Sequence, residues 1–202
     1  AKVNHLEEVA DSAELREAYN ATLPQVSAYF ARIPLDQPLW RAIRAAKDNG
    51  ACEDPDPARR RFANETIKDF IEAGADLPED KRKELEQIQT ELSAITQKYS
   101  ENVLDATNAY ELYVTDPAKL QGLPPHAREA ARRDALEHGK GSEEHPQWRF
   151  TLRATSYIPA MQYLDDDDLR RQLHRAYANI GRISPHDNST LVWQILELRQ
   201  RK

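Results

Sequence analysis

The chain has 202 residues, with 28 Lys and Arg against 34 Asp and Glu; the formal net charge of -6 excludes both a solvated acidic tail and the basic face of a nucleic-acid binder. Leu, Ile, Val and Phe supply 40 residues, while 27 Ala and only 6 Gly favour helix, so an ordered helical chain with a thin core is expected. The single cysteine, Cys52, excludes a disulfide framework within the chain and suits a reducing compartment.

Ala1 to Ala10 mixes charged and polar groups without an apolar core segment, so it reads as neither a signal peptide nor a membrane anchor; cytoplasm is the expected location, with no membrane partner. Asp11 and Glu14 have capping-box spacing, and Leu15, Ala18, Tyr19, Thr22 and Val26 follow at helical intervals. Pro24 interrupts this segment and predicts a kink or a split. Pro38, Leu39, Trp40 and Ile43 begin a short helix that Asn49-Gly50 terminates. Asp56-Pro57 then provides an N-cap and a first-turn proline, and Phe62, Thr66, Phe70 and Ile71 mark one face up to Gly74.

The clearest periodicity runs through Leu85, Ile88, Leu92, Ile95, Tyr99 and Val103 and predicts one long helix over about 78–106. The period then changes to two: Tyr110, Leu112 and Val114, and later Trp148, Phe150 and Leu152, alternate with polar or differently facing neighbours. These segments, about 109–115 and 147–153, are expected to pair as a two-stranded β element. Asp116-Pro117 and Pro124-Pro125 open helical turns between them, and the stretch from Glu137 to Gln147 is the most loop-like. Further on, Ser156 is expected to cap a helix from Tyr157 to Leu164, Asp165 or Asp166 one through Leu169 and Leu173, and Asp187 one through Leu191, Ile195 and Leu198. The result is a mainly α, multi-helix fold read as a single helical domain over 1–202.

Catalytic motifs are absent. None of the six histidines is followed by Glu, which excludes the helical zinc motif with its adjacent general base. There is no phosphate-binding glycine loop and no nucleophile elbow, and Cys52 lies near Asp48, Glu53 and Asp54, where negative charge disfavours a thiolate. His138 and His145 flank Glu143 and Glu144 without helical spacing, which reads as a solvated loop. The run from Asp165 to Asp168 lacks the glycine and distal glutamate of a calcium loop and reads as carboxylates at a helix N-terminus. Arg59-Arg60-Arg61 reads as exposed surface, most of the eight tyrosines as core, and the sequons at Asn20, Asn64 and Asn188 as coincidence.

Five segments carry a resemblance through their order. They are His5-Leu6 with DSAELREAY (Asp11 to Tyr19), SENVLDATNAYELYVTD (Ser100 to Asp116), LQGLPPHAR (Leu120 to Arg128), SYIPAMQYLDDDDLRRQLHRAY (Ser156 to Tyr177) and DNSTLVWQILELR (Asp187 to Arg199). Together they resemble the N-terminal half of the zinc oligopeptidases, the family of oligopeptidase A, dipeptidyl carboxypeptidase and thimet oligopeptidase, over about residues 5 to 199. The resemblance implies a helical half that forms one wall of a channel admitting short peptides. It places the zinc motif in a C-terminal half outside these residues, so no catalytic, cofactor-binding or metal-ligating residue is assigned here. Zinc belongs to the parent enzyme, this chain alone is expected to be inactive, and its natural partner is the missing catalytic half. Without that half an apolar patch and self-association are expected. The other reading is a stand-alone helical module that binds a peptide or protein; nucleic acid is disfavoured.

Overall fold

The computed structural model describes Leu6, Ala10 and residues 12–202. Its order is α1 (Ala13–Arg32), α2 (Gln37–Asp48), α3 (Pro57–Glu72), α4 (Glu79–Ala109), β1 (Leu112–Val114), α5 (Pro125–Glu137), β2 (Trp148–Phe150), α6 (Ala154–Tyr163), α7 (Asp167–Ala178) and α8 (Ser189–Arg201), with short 3-10 turns at Ala51–Glu53 and Pro117–Leu120. The mainly α class and the two-stranded sheet agree with the sequence periodicities. Contacts divide the chain into two compact units, one up to Gln97 together with Trp193–Lys202 and the other Lys98–Val192. Among the described residues no helix is long and apolar enough to cross a membrane.

In the first unit, α1 starts at Ser12, whose hydroxyl accepts the Leu15 N–H at 3.2 Å. The expected capping residue, Asp11, lies outside the described residues. Pro24 sits inside α1 without splitting it. Proline forfeits one backbone hydrogen bond, and more than two turns on either side carry the helix across it. The helix is held to α4 by the Ser27 and Ser93 hydroxyls at 2.6 Å and by Arg32 on Glu86 at 2.5 Å. Asp36 caps α2 through the Leu39 N–H and Asp56 caps α3 through those of Ala58 and Arg59. Gly50, at φ 88°, follows α2 where the sequence predicts its end.

Trp40, Ile67 and Ala75 form the core of this unit, with Ile43, Cys52 and Phe70 packed against it and the Trp40 and Phe70 rings stacked at 6.0 Å. Phe62 departs from expectation: it shares the spacing of Phe70 but is 74% exposed. It stands one turn into α3, on the rim of a groove lined by Ile43, Ala46, Ala51 and Ala63. In α4, Leu85 and Ile88 are buried, Leu92 and Ile95 half-buried and Tyr99 exposed, so the predicted stripe is real but unevenly covered.

The second unit is built around the strand pair. β1 and β2 run antiparallel, with Leu112 opposite Phe150, Tyr113 opposite Arg149 and Val114 opposite Trp148. Alternation turns Val114, Trp148 and Phe150 into a core with Leu120, Leu123, Ala131, Ala160, Leu164, Leu169 and Leu173, and puts Tyr113 and Arg149 on the other face. Asp166 caps α7 through the Leu169 N–H at 2.7 Å. Ser156 does not cap a helix from Tyr157: α6 starts earlier, at Ala154, and the Ser156 hydroxyl accepts the Thr151 N–H at 3.0 Å, fastening the strand end to the helix. Asp187 accepts the N–H and the hydroxyl of Ser189 where α8 begins. Beside it the buried Asn188 donates to the Tyr99 carbonyl and accepts from Asn102 at 2.8 Å, tying the 179–188 connection to α4.

Candidate functional site

The structure scatters the residues whose chemistry stands out in the sequence. His138 closes α5, its Nδ1 2.8 Å from the Asp134 carbonyl and 3.3 Å from its carboxylate. His145 is engaged through its backbone N–H by the Ser142 hydroxyl. In the acidic run, Asp166 is a cap, Asp167 pairs with Arg170, and Asp168 pairs with Arg171 at 2.8 Å. Arg60 reaches the Asp54 carbonyl, and Arg59 lies 4.0 Å from Asp56. Cys52 is half-buried against the Trp40 core. Among the described residues no group of three or more His, Cys, Asp or Glu side chains is placed to hold a metal ion, so the zinc that the resemblance implies does not fit these side chains.

A recess lies in the second unit between α5, β2 and α6. It has a volume of about 240 Å³, a floor of Ala127, Ala130 and Ala131, and polar walls from Asp134, Arg149 and Arg153. Small residues on α5 leave the space, and Arg149, Phe150 and Thr151 line it from the end of β2, Phe150 belonging also to the core. Arg149 is the anchor of the recess. Its guanidinium bridges Asp134 at 2.7 Å and Glu111 at 2.8 Å, and its side chain is only 11% exposed. Its hydrogen bond holds the Glu111 carboxyl below the usual carboxylate range. Arg153 stands on the rim, its hydrogen-bond partner the neutral Asn108 side-chain carbonyl at 3.0 Å. Deeper in the core the Trp148 indole N–H is buried without a hydrogen-bond partner, and the Arg128 guanidinium lies 5.1 Å from the ring centroid.

This arrangement offers shape and fixed charge. The carboxylate in the lining, Asp134, is engaged by the Arg149 guanidinium, which also reaches Glu111 beyond the recess. Reading the sequence alone did not single out Arg149, because its partners lie 38 and 15 residues away. Its place opposite Tyr113 in two alternating segments was the one available signal.

Residues 1–82 match the family model of the neurolysin/thimet oligopeptidase N-terminal domain. Along nearly its whole length the chain is also similar to a probable cytosolic oligopeptidase A of Arabidopsis thaliana, at 34% identity over 99% of this chain and 29% of the relative. Similarity to the oligopeptidase A of Escherichia coli K12 is 36% over 98% of this chain and 29% of the relative. An organellar oligopeptidase A, chloroplastic/mitochondrial, of Arabidopsis thaliana is 34% identical over 99% of this chain and 26% of the relative. A helical chain with these matches is similar, along nearly its whole length, to the oligopeptidase family that includes oligopeptidase A and thimet oligopeptidase. Within it, the similarity to the oligopeptidase A proteins extends over both units, and the chain spans less than a third of the length of these curated relatives.

Proposed function

We propose that this chain is the N-terminal, non-catalytic part of a zinc-dependent oligopeptidase that hydrolyses short peptides, and that it forms one wall of the channel that admits them. The observation that carries the reading is the alignment itself: nearly the whole chain matches, yet it spans only 29% of proteins named oligopeptidase A, and its first 82 residues match a domain described as N-terminal. The zinc and the catalytic groups are then supplied by polypeptide outside these residues, in keeping with a sequence in which no histidine precedes a glutamate. Peptide contact falls to the α5–β2–α6 recess, whose alanine floor admits a small side chain and whose Arg153 guanidinium suits a peptide carbonyl or terminal carboxylate. A cytoplasmic location agrees with the lone cysteine.

Incubating the purified chain with a quenched fluorescent short peptide and zinc tests the central part of this. The expected rate is that of the blank; zinc-dependent turnover above it contradicts the proposal.

A further inference from the structure

Four apolar residues on α1 recur at helical spacing and stay exposed among the described residues. Val26, Tyr29, Phe30 and Ile33, the last at the C-cap, stand at i, i+3, i+4 and i+7, the pattern of a face that a helix buries. Their exposures are 49%, 65%, 62% and 38%. At about 100° per residue this face lies opposite the one α1 already uses. Ser27, Ala28, Ala31 and Arg32 occupy that used side, with Ser27 on Ser93, Arg32 on Glu86 and Ala31 buried. A helix with contacts to make on both sides belongs to an inner layer, with protein beyond it. The Tyr29 and Phe30 rings meet edge-on at 5.4 Å and present one continuous aromatic surface outward.

We infer that the Val26, Tyr29, Phe30 and Ile33 face is the seat of polypeptide from the rest of the peptidase, the part that the relatives carry outside the aligned span. The inference rests on the proposed reading of the chain as the N-terminal part of such an enzyme. Two observations select this occupant over a second copy. The face lies within residues 1–82, which match a domain that in its family is one part of a longer protein. The relatives also carry more than twice as much further polypeptide as they share with this chain, and that polypeptide must be packed against something. The occupant presents an apolar, aromatic-compatible face, since neither charge nor a hydrogen-bonding group lies in the stripe apart from the Tyr29 hydroxyl.

Hydroxyl-radical footprinting read by mass spectrometry tests this. The samples are the 202-residue chain, the intact Escherichia coli relative, and a chimera in which this chain replaces the aligned span of that relative. In the isolated chain Tyr29 and Phe30 are expected to label strongly. In the chimera their labelling is expected to fall to the level of Trp40, which is 5% exposed in this chain. Strong labelling of the pair in the chimera overturns the inference, and protection that appears only in the isolated chain as its concentration rises assigns the face to a second copy and does the same. The intact relative gives a reading that needs no chimera: the side chains aligned with Tyr29 and Phe30 are expected to be protected, and labelling there overturns the inference. Peptidase activity separates the two claims. An active chimera with a labelled pair leaves the functional reading standing and removes this one alone, whereas a folded, zinc-loaded chimera without activity removes the functional reading and, with it, the ground of this inference.

Discussion

Arg149 shows how one side chain organises the second unit. It is nearly buried and is the shared partner of Glu111 and Asp134, so removing it leaves two carboxylates beside a half-closed recess without their donor. Arg149→Met is expected to destabilise the chain by about 1.5–3 kcal/mol, read as a lower urea midpoint. Lysine cannot replace the planar fork that spans both acids, so Arg149→Lys is expected to recover only part of the loss. Glu111 carries the pH dependence. Its carboxyl is held lower in the folded state than in the unfolded chain, so its contribution is present above the unfolded value and disappears as pH falls through the folded one. Acid unfolding of the Arg149→Met variant is therefore expected to show a weaker carboxylate dependence than the parent; equal slopes would remove Arg149 as the cause. Asn188 is a second such residue. Asn188→Ala strands the buried Asn102 amide and is expected to cost about 1–3 kcal/mol in the same denaturation experiment.

Among the secondary-structure elements, the caps and periodicities were the most legible features of the sequence. Asp56 and Asp166 cap α3 and α7 as their positions before apolar runs predict, Asp36 caps α2 without having stood out in the sequence, and the 3,4 spacing from Leu85 to Val103 gave one long helix. The change of period gave both strands. Ser156 and Phe62 were misread for one physical reason: a cap or an apolar spacing reports what a residue can do locally, while tertiary neighbours decide what it does. The Ser156 hydroxyl is taken by the Thr151 N–H just after β2, and Phe62 is left 74% exposed. The recess was not legible, since it depends on three elements meeting and on ion pairs between residues far apart in the chain. Where a cap was legible its energy is testable: Asp166→Ala is expected to lose about 1 kcal/mol of stability and to fray the first turn of α7, read by amide hydrogen exchange at Leu169. Arg153→Ala tests the recess from the other side. It is expected to reduce chemical-shift changes around Ala127 and Ala131 when a short peptide is added, without moving the urea midpoint by more than about 0.5 kcal/mol.

At the scale of the molecule, two compact units, each with its own small core, are assembled from helices that leave several large apolar side chains outward, among them Phe30, Phe62 and Trp193. A chain that stood permanently alone would be expected to cover such residues or replace them with polar ones. The family resemblance reads their exposure as the mark of a part taken from a larger body, and the relatives, more than three times as long as the aligned span, agree with that reading. The most direct test substitutes this chain for the aligned span of Escherichia coli oligopeptidase A and measures zinc-dependent hydrolysis of a quenched peptide by the chimera and by the chain alone. The account predicts turnover by the chimera and none by the chain; turnover by the chain alone, or a folded, zinc-loaded chimera without activity, would contradict it.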